Sequence, residues 1–144
     1  MKKHKEKSNQ KDLVFWKSQI DFDYIIIVIF KEHYNYDEIK KLMGDNIAVT
    51  HQEKRIFIDG EKLGDLNKDK IIFIEAHEIA HHYLGHQLKP IPEQEKEADY
   101  LAYLLLNKLN NKKASDLVIN YFYSRHGEDF YDYEKRKGKD IKIP

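Results

Sequence analysis

The chain has 144 residues, enough for one domain with a real core and too few for two independent ones. Lys plus Arg and Asp plus Glu number 25 each, so no net field selects nucleic acid, an anionic membrane or an acidic substrate. The absence of cysteine excludes a disulfide framework, a thiolate metal site and a cysteine nucleophile, and it accords with a reducing cytosol, so any bound metal must use His and carboxylate.

Residues 1–12 are almost entirely polar and read as a frayed basic tail, followed by one domain over 13–127 and a charged tail with scattered tyrosines over 128–144. Leu13 to Ile20 reads as a short helix or lead-in anchored by Phe15 and Trp16. Tyr24 to Phe30 is the longest apolar run; it is far shorter than the ~20 residues of a membrane-spanning helix and reads as a strand covered on both faces. No apolar stretch stands behind the N-terminal lysines, so a cytoplasmic location without a signal peptide is expected. Asn35 to Glu38 resembles a capping box opening a helix that ends near Met43, with Gly44 as its stop. Ile47–Thr50 and Arg55–Asp59 are short apolar-polar segments joined through His51–Lys54 and read as a hairpin or a pair of strands, and Asp59-Gly60 and Gly64-Asp65 punctuate the following loop.

Asp69 is the expected N-cap of a buried helix from about Lys70 to Leu84, ended by Gly85. Pro90 and Pro92 forbid its continuation, and a further helix is expected from Pro92 to about Leu109, closed by Asn110-Asn111. Ser115 is the expected cap of a last helix stopped by Gly127.

The chemistry lies in His77-Glu78-Ile79-Ala80-His81. At about 100° per residue, His77 and His81 project within about 40° of each other, so two imidazoles can share one ion. Glu78 lies one step round, placed to take a proton from a water without being a ligand. The spacing fails for a third His ligand: Gly85 comes one place late and His86 one place early. Glu95 and Asp99 on the next helix supply the alternative, a carboxylate ligand followed four residues later by an Asp that can orient a metal-bound His. Glu97 points about 200° from Glu95, so both cannot face one ion; Glu95 is preferred because only it has the Asp four residues on, and Glu93 and Glu97 read as solvated first-turn acids. His82, Tyr103, Tyr121, Tyr123, Arg125 and His126 are candidate oxyanion donors that the sequence does not rank.

These segments resemble the ImmA/IrrE family of metallopeptidases. The likeness runs from about Ile56 to Leu106 and rests on Glu75-Ala-His-Glu-Ile-Ala-His-His-Tyr-Leu-Gly-His86 followed by Glu95-x-x-Ala-Asp-Tyr-Leu-Ala. The resemblance implies an α+β fold: a minimal zincin of the gluzincin kind, with about three strands packed on an active-site helix and a glutamate-bearing helix. It also implies Zn2+ held by His77, His81 and Glu95, Glu78 as catalytic base, and endopeptidase action in the cytoplasm on a regulatory protein such as a transcriptional repressor, with no direct nucleic-acid or membrane partner. Tyr100-Leu101-Ala102 replaces the family's usual variable residue, Phe and Ala, and no helix-turn-helix extension is expected from these residues. The rival reading from another class is a non-catalytic zinc-binding module that regulates a partner by binding.

Overall fold

The computed structural model describes residues 13–33, 35–44, 46–51, 54–63, 67–87 and 90–144. The expected basic tail over 1–12, the Gly64-Asp65 turn and the Gln52-Glu53 centre of the strand connection lie outside these residues. The protein is mixed α+β, and its contacts divide it at Asn67 into two compact units, one built on a sheet and one helical.

The first unit contains β1 (Leu13–Lys17), β2 (Ile25–Ile29), α1 (Tyr36–Met43), β3 (Ala48–His51), β4 (Arg55–Asp59) and a one-turn helix α2 (Gly60–Leu63). Among the described residues the sheet has four strands in the order β1-β2-β4-β3, with β2 and β4 parallel and both outer pairings antiparallel. The expected three strands therefore become four, because Leu13–Lys17 is an edge strand rather than a short helix. Its run of apolar, branched and aromatic side chains suits a pleated surface, and Val14 and Phe15 stay exposed along that edge.

Covering of β2 is unequal: Ile26 and Val28 are fully buried, whereas Ile25 and Ile27 on the other face are half-buried. With Ile29, Ile56 and Ile58 they form the heart of this unit, each buried side chain worth about 1.5–3 kcal/mol relative to exposure. Asn35 sits at the N-cap of α1, but its side chain makes no capping bond, so the expected capping box does not form. Asp59 ties α1 to the sheet: it accepts from Tyr36 Oη at 3.1 Å and from the Glu61 backbone N–H at 3.0 Å, and pairs with Lys40 Nζ at 3.1 Å. Burial works against its charge, but Lys40 and these donors outweigh that and hold its carboxyl below the usual range. The turn expected at Asp59-Gly60 is instead the start of α2, where Gly60 lies so close to the Phe30 ring that a Cβ would fall 2.4 Å from Phe30 Cε1.

The second unit contains α3 (Lys68–Tyr83), α4 (Pro92–Lys108), α5 (Lys112–His126), α6 (Phe130–Arg136) and a 3-10 turn at Gly138–Asp140. The cap of α3 is Asn67, whose side chain accepts from the Lys70 N–H, two residues before the expected Asp69. Likewise α5 is capped by Asn111, which accepts from the Ala114 N–H, while Ser115 lies buried in the first turn and donates to the Lys112 carbonyl. Helix α3 packs on α4 and α5, and α4 on α5. Ala76, Ala80, Ala98 and Ala102 are all fully buried, as close helix approach requires.

The expected charged tail is not a tail. Asp129 caps α6 by accepting from the Tyr131 and Asp132 N–H groups, and Phe130 and Tyr133 are fully buried. Phe130 stacks on Tyr100 and meets Tyr103 and Phe122 edge-on, while Arg136 reaches Glu93 and Glu128. Among the described residues no helix is long and apolar enough to cross a membrane.

Candidate metal centre

Two helices of the second unit build this site. Helix α3 carries His77 and His81 one turn apart, and Pro92 starts α4 so that Glu95 falls in its first turn. His77 Nε2, His81 Nε2 and Glu95 Oε1 form a triangle with separations of 3.0 Å between the imidazoles and 3.1 and 2.9 Å from each to the carboxylate. A tetrahedral zinc site with bonds of 2.0–2.1 Å has ligand atoms about 3.3 Å apart, so the three donors stand at metal-site spacing. Among the described residues this is the group of His and carboxylate side chains that could hold a metal ion. Glu97, the alternative ligand, is turned instead to His86 Nε2 at 3.0 Å, and it is not the solvated acid expected from its first-turn position.

Both imidazoles are held from behind. Asp99, fully buried, accepts from His77 Nδ1 at 2.6 Å; four residues after Glu95, it lies on the same side of α4. His81 Nδ1 lies 2.8 Å from His86 Nδ1. Were both Nε2 atoms to hold an ion, His81 Nδ1–H would be the donor in that contact and His86 Nε2–H would donate to Glu97. Asp99 also accepts from Arg125 Nε at 2.8 Å and from His126 Nε2 at 2.6 Å. Arg125 and His126, named from sequence among the oxyanion candidates, are therefore engaged on this carboxylate.

Of the remaining oxyanion candidates, Tyr103 packs in the aromatic cluster, Tyr121 and Tyr123 are more than half exposed, and His82 is exposed. Glu78 is half-buried on α3, close enough for its charge to favour protonation of His77.

Burial alone pushes His77 toward the neutral form, but the Asp99 charge and hydrogen bonds to Asp99 and Glu95 overcome it and raise its pKa to about 10. Hydrogen bonds from His77 and His81 hold the Glu95 carboxyl far below its ordinary range. For Asp99, burial opposes ionisation, and the surrounding His77, His126 and Arg125 overcome it. His86 is pushed down mainly by burial, which favours the neutral imidazole that can both accept from His81 and donate to Glu97.

Sequence reasoning reached the ligand triangle and Asp99 through helical spacing. It missed the part played by His86, although Gly85 directly before it was the available signal, and it had no periodicity with which to join Arg125 and His126 to a carboxylate on another helix. Comparison with protein-family models, with curated proteins and with solved structures finds no match to this chain.

Proposed function

We propose that the protein is a zinc-dependent endopeptidase that cleaves a regulatory protein such as a transcriptional repressor. The observation that carries this reading is the triangle of His77, His81 and Glu95 with Glu78 beside it on α3. The α+β arrangement is read accordingly as a minimal zincin of the gluzincin kind. The substrate class and the cytoplasmic setting rest on the likeness of the His77–His81 and Glu95–Ala102 segments to the ImmA/IrrE family.

His77, His81 and Glu95 would hold Zn2+, which supplies Lewis acidity and lowers the pKa of water toward about 7. Glu78 accepts the proton of the attacking water and returns it to the leaving amine, a general acid–base contribution of about 10²–10⁴-fold. Asp99 keeps the His77 proton on Nδ1, so that Nε2 presents its lone pair to the ion.

The test combines metal analysis with mapping of new N-termini. Wild type and Glu78→Gln should carry equal zinc and His77→Ala should carry none; cells producing wild type should contain cleaved fragments of a regulator that are absent with Glu78→Gln. Equal zinc with no Glu78-dependent cleavage would favour the non-catalytic binding module, and equal zinc in His77→Ala would remove the site.

A further inference from the structure

Helix α3 ends in a way that recruits a third histidine. Gly85 adopts φ +68°, its N–H bonds the His82 carbonyl at 3.1 Å, and the His86 N–H bonds the His81 carbonyl at 3.0 Å. These two bonds define a Schellman termination, in which the residue after the left-handed glycine is folded back against the residue three before the helix cap. Those two positions usually meet through an apolar contact. Here they are His86 and His81, and they meet through Nδ1 atoms 2.8 Å apart with rings in edge contact. Glu97 on α4 then accepts from the far side of His86 at 3.0 Å.

We propose that His86 and Glu97 are positioning residues for His81: the helix stop delivers an imidazole whose Nδ1 accepts the His81 Nδ1 proton, and Glu97 fixes the orientation of that imidazole. This rests on the metal reading of His77, His81 and Glu95. The two ligand histidines are thus oriented by unlike devices. His77 meets a carboxylate directly, whereas His81 meets one through an intervening imidazole. The relay also accounts for two acids two places apart on α4, with Glu95 facing the ligand triangle and Glu97 facing its support. The His86 side chain is only 5% exposed, so water competes little for the contact.

The experiment is zinc binding by the full chain, measured by chelator competition for wild type, His86→Ala, Glu97→Ala, Glu97→Gln and the double variant His86→Ala/Glu97→Ala. Loss of such a support costs about 10–100-fold in metal affinity. His86→Ala and Glu97→Ala should each weaken zinc by that factor, the double variant no more than the worse single, and Glu97→Gln, which keeps an acceptor oxygen, by less than Glu97→Ala. Histidine NMR of the zinc-loaded protein adds a readout that loose packing would not reproduce: the His81 Nδ1 proton should exchange slowly in wild type and rapidly in His86→Ala. Wild type that binds zinc, with both single alanine variants within about twofold of it, would overturn the relay and leave the metal reading standing. Wild type that binds no zinc would overturn both. Glu97→Ala and Glu97→Gln change a side chain that is 31% exposed and keep the test decisive should His86→Ala fail to fold.

Discussion

Replacing Asp99 by Asn removes a fully buried negative charge that serves three donors, and its cost can be built up from the structure. The contacts from His77 and His126, both 2.6 Å long and with side chains 12% and 6% exposed, keep most of the roughly 1.5–3 kcal/mol typical of a hydrogen bond to a charged group. Arg125 is 41% exposed, so its pairing is screened and adds less than about 1 kcal/mol. Asn still accepts one bond, and His77 becomes neutral once the charge that raises its pKa is gone, which returns part of the loss. The net expectation is a destabilisation of about 3 kcal/mol in the metal-free protein, at the lower edge of the cost of breaking a buried pair. Zinc affinity should fall in parallel by about 10–100-fold, because a neutral amide, with an oxygen for only one of the three donors, holds the His77 tautomer less firmly than the carboxylate does. Urea denaturation with chelator present measures the first effect and zinc titration the second. A stability loss under about 1 kcal/mol together with unchanged zinc affinity would refute the account of Asp99 as a charged anchor.

Zinc binding near neutral pH should release about one proton, since His77 is an imidazolium in the metal-free protein with its pKa raised to about 10; calorimetry in buffers of different ionisation enthalpy measures it, and a release of zero would contradict the proton assignment. In the metal-free protein, the stability contributed by His77 is complete below about pH 6.5 and lost as pH rises through about 10, whereas that of Asp99, whose carboxyl is depressed, is lost as pH falls below the carboxylate range. Denaturation across pH with chelator should therefore trace a plateau bounded on both sides. Tyr133→Phe should leave the melting temperature unchanged or raise it, because Tyr133 is fully buried and its Oη has no hydrogen-bond partner among the described residues; a loss above about 1 kcal/mol would reveal one. Gly60→Ala should cost about 1–3 kcal/mol, since the new Cβ would lie 2.4 Å from the Phe30 ring, and unchanged stability would mean that the ring moves freely.

What could be read from the sequence follows from interactions that are short along the chain. The i,i+4 spacing places His77 and His81 on one side of α3 whatever else the protein does, and the same rule joins Glu95 to Asp99 on α4. Gly85 and Gly127 mark helix ends because a left-handed residue is needed there and glycine bears no Cβ penalty. Where two local signals competed, the reading slipped by a residue or two: Asn67 rather than Asp69 caps α3, and Asn111 rather than Ser115 caps α5. Leu13–Lys17 carried no periodicity that separates strand from helix, and its state is decided by pairing with Ile25–Ile29. The residues after 127 looked like a charged tail because their apolar side chains are sparse, yet Phe130 and Tyr133 find partners on α4 and α5. The supports of the ligand triangle belong to the same class. The sequence by itself determined the ligand types and their helical spacing, whereas only tertiary packing decided that Glu97 meets His86 and that Arg125 and His126 meet Asp99, because those pairs lie on different elements and no local rule relates them.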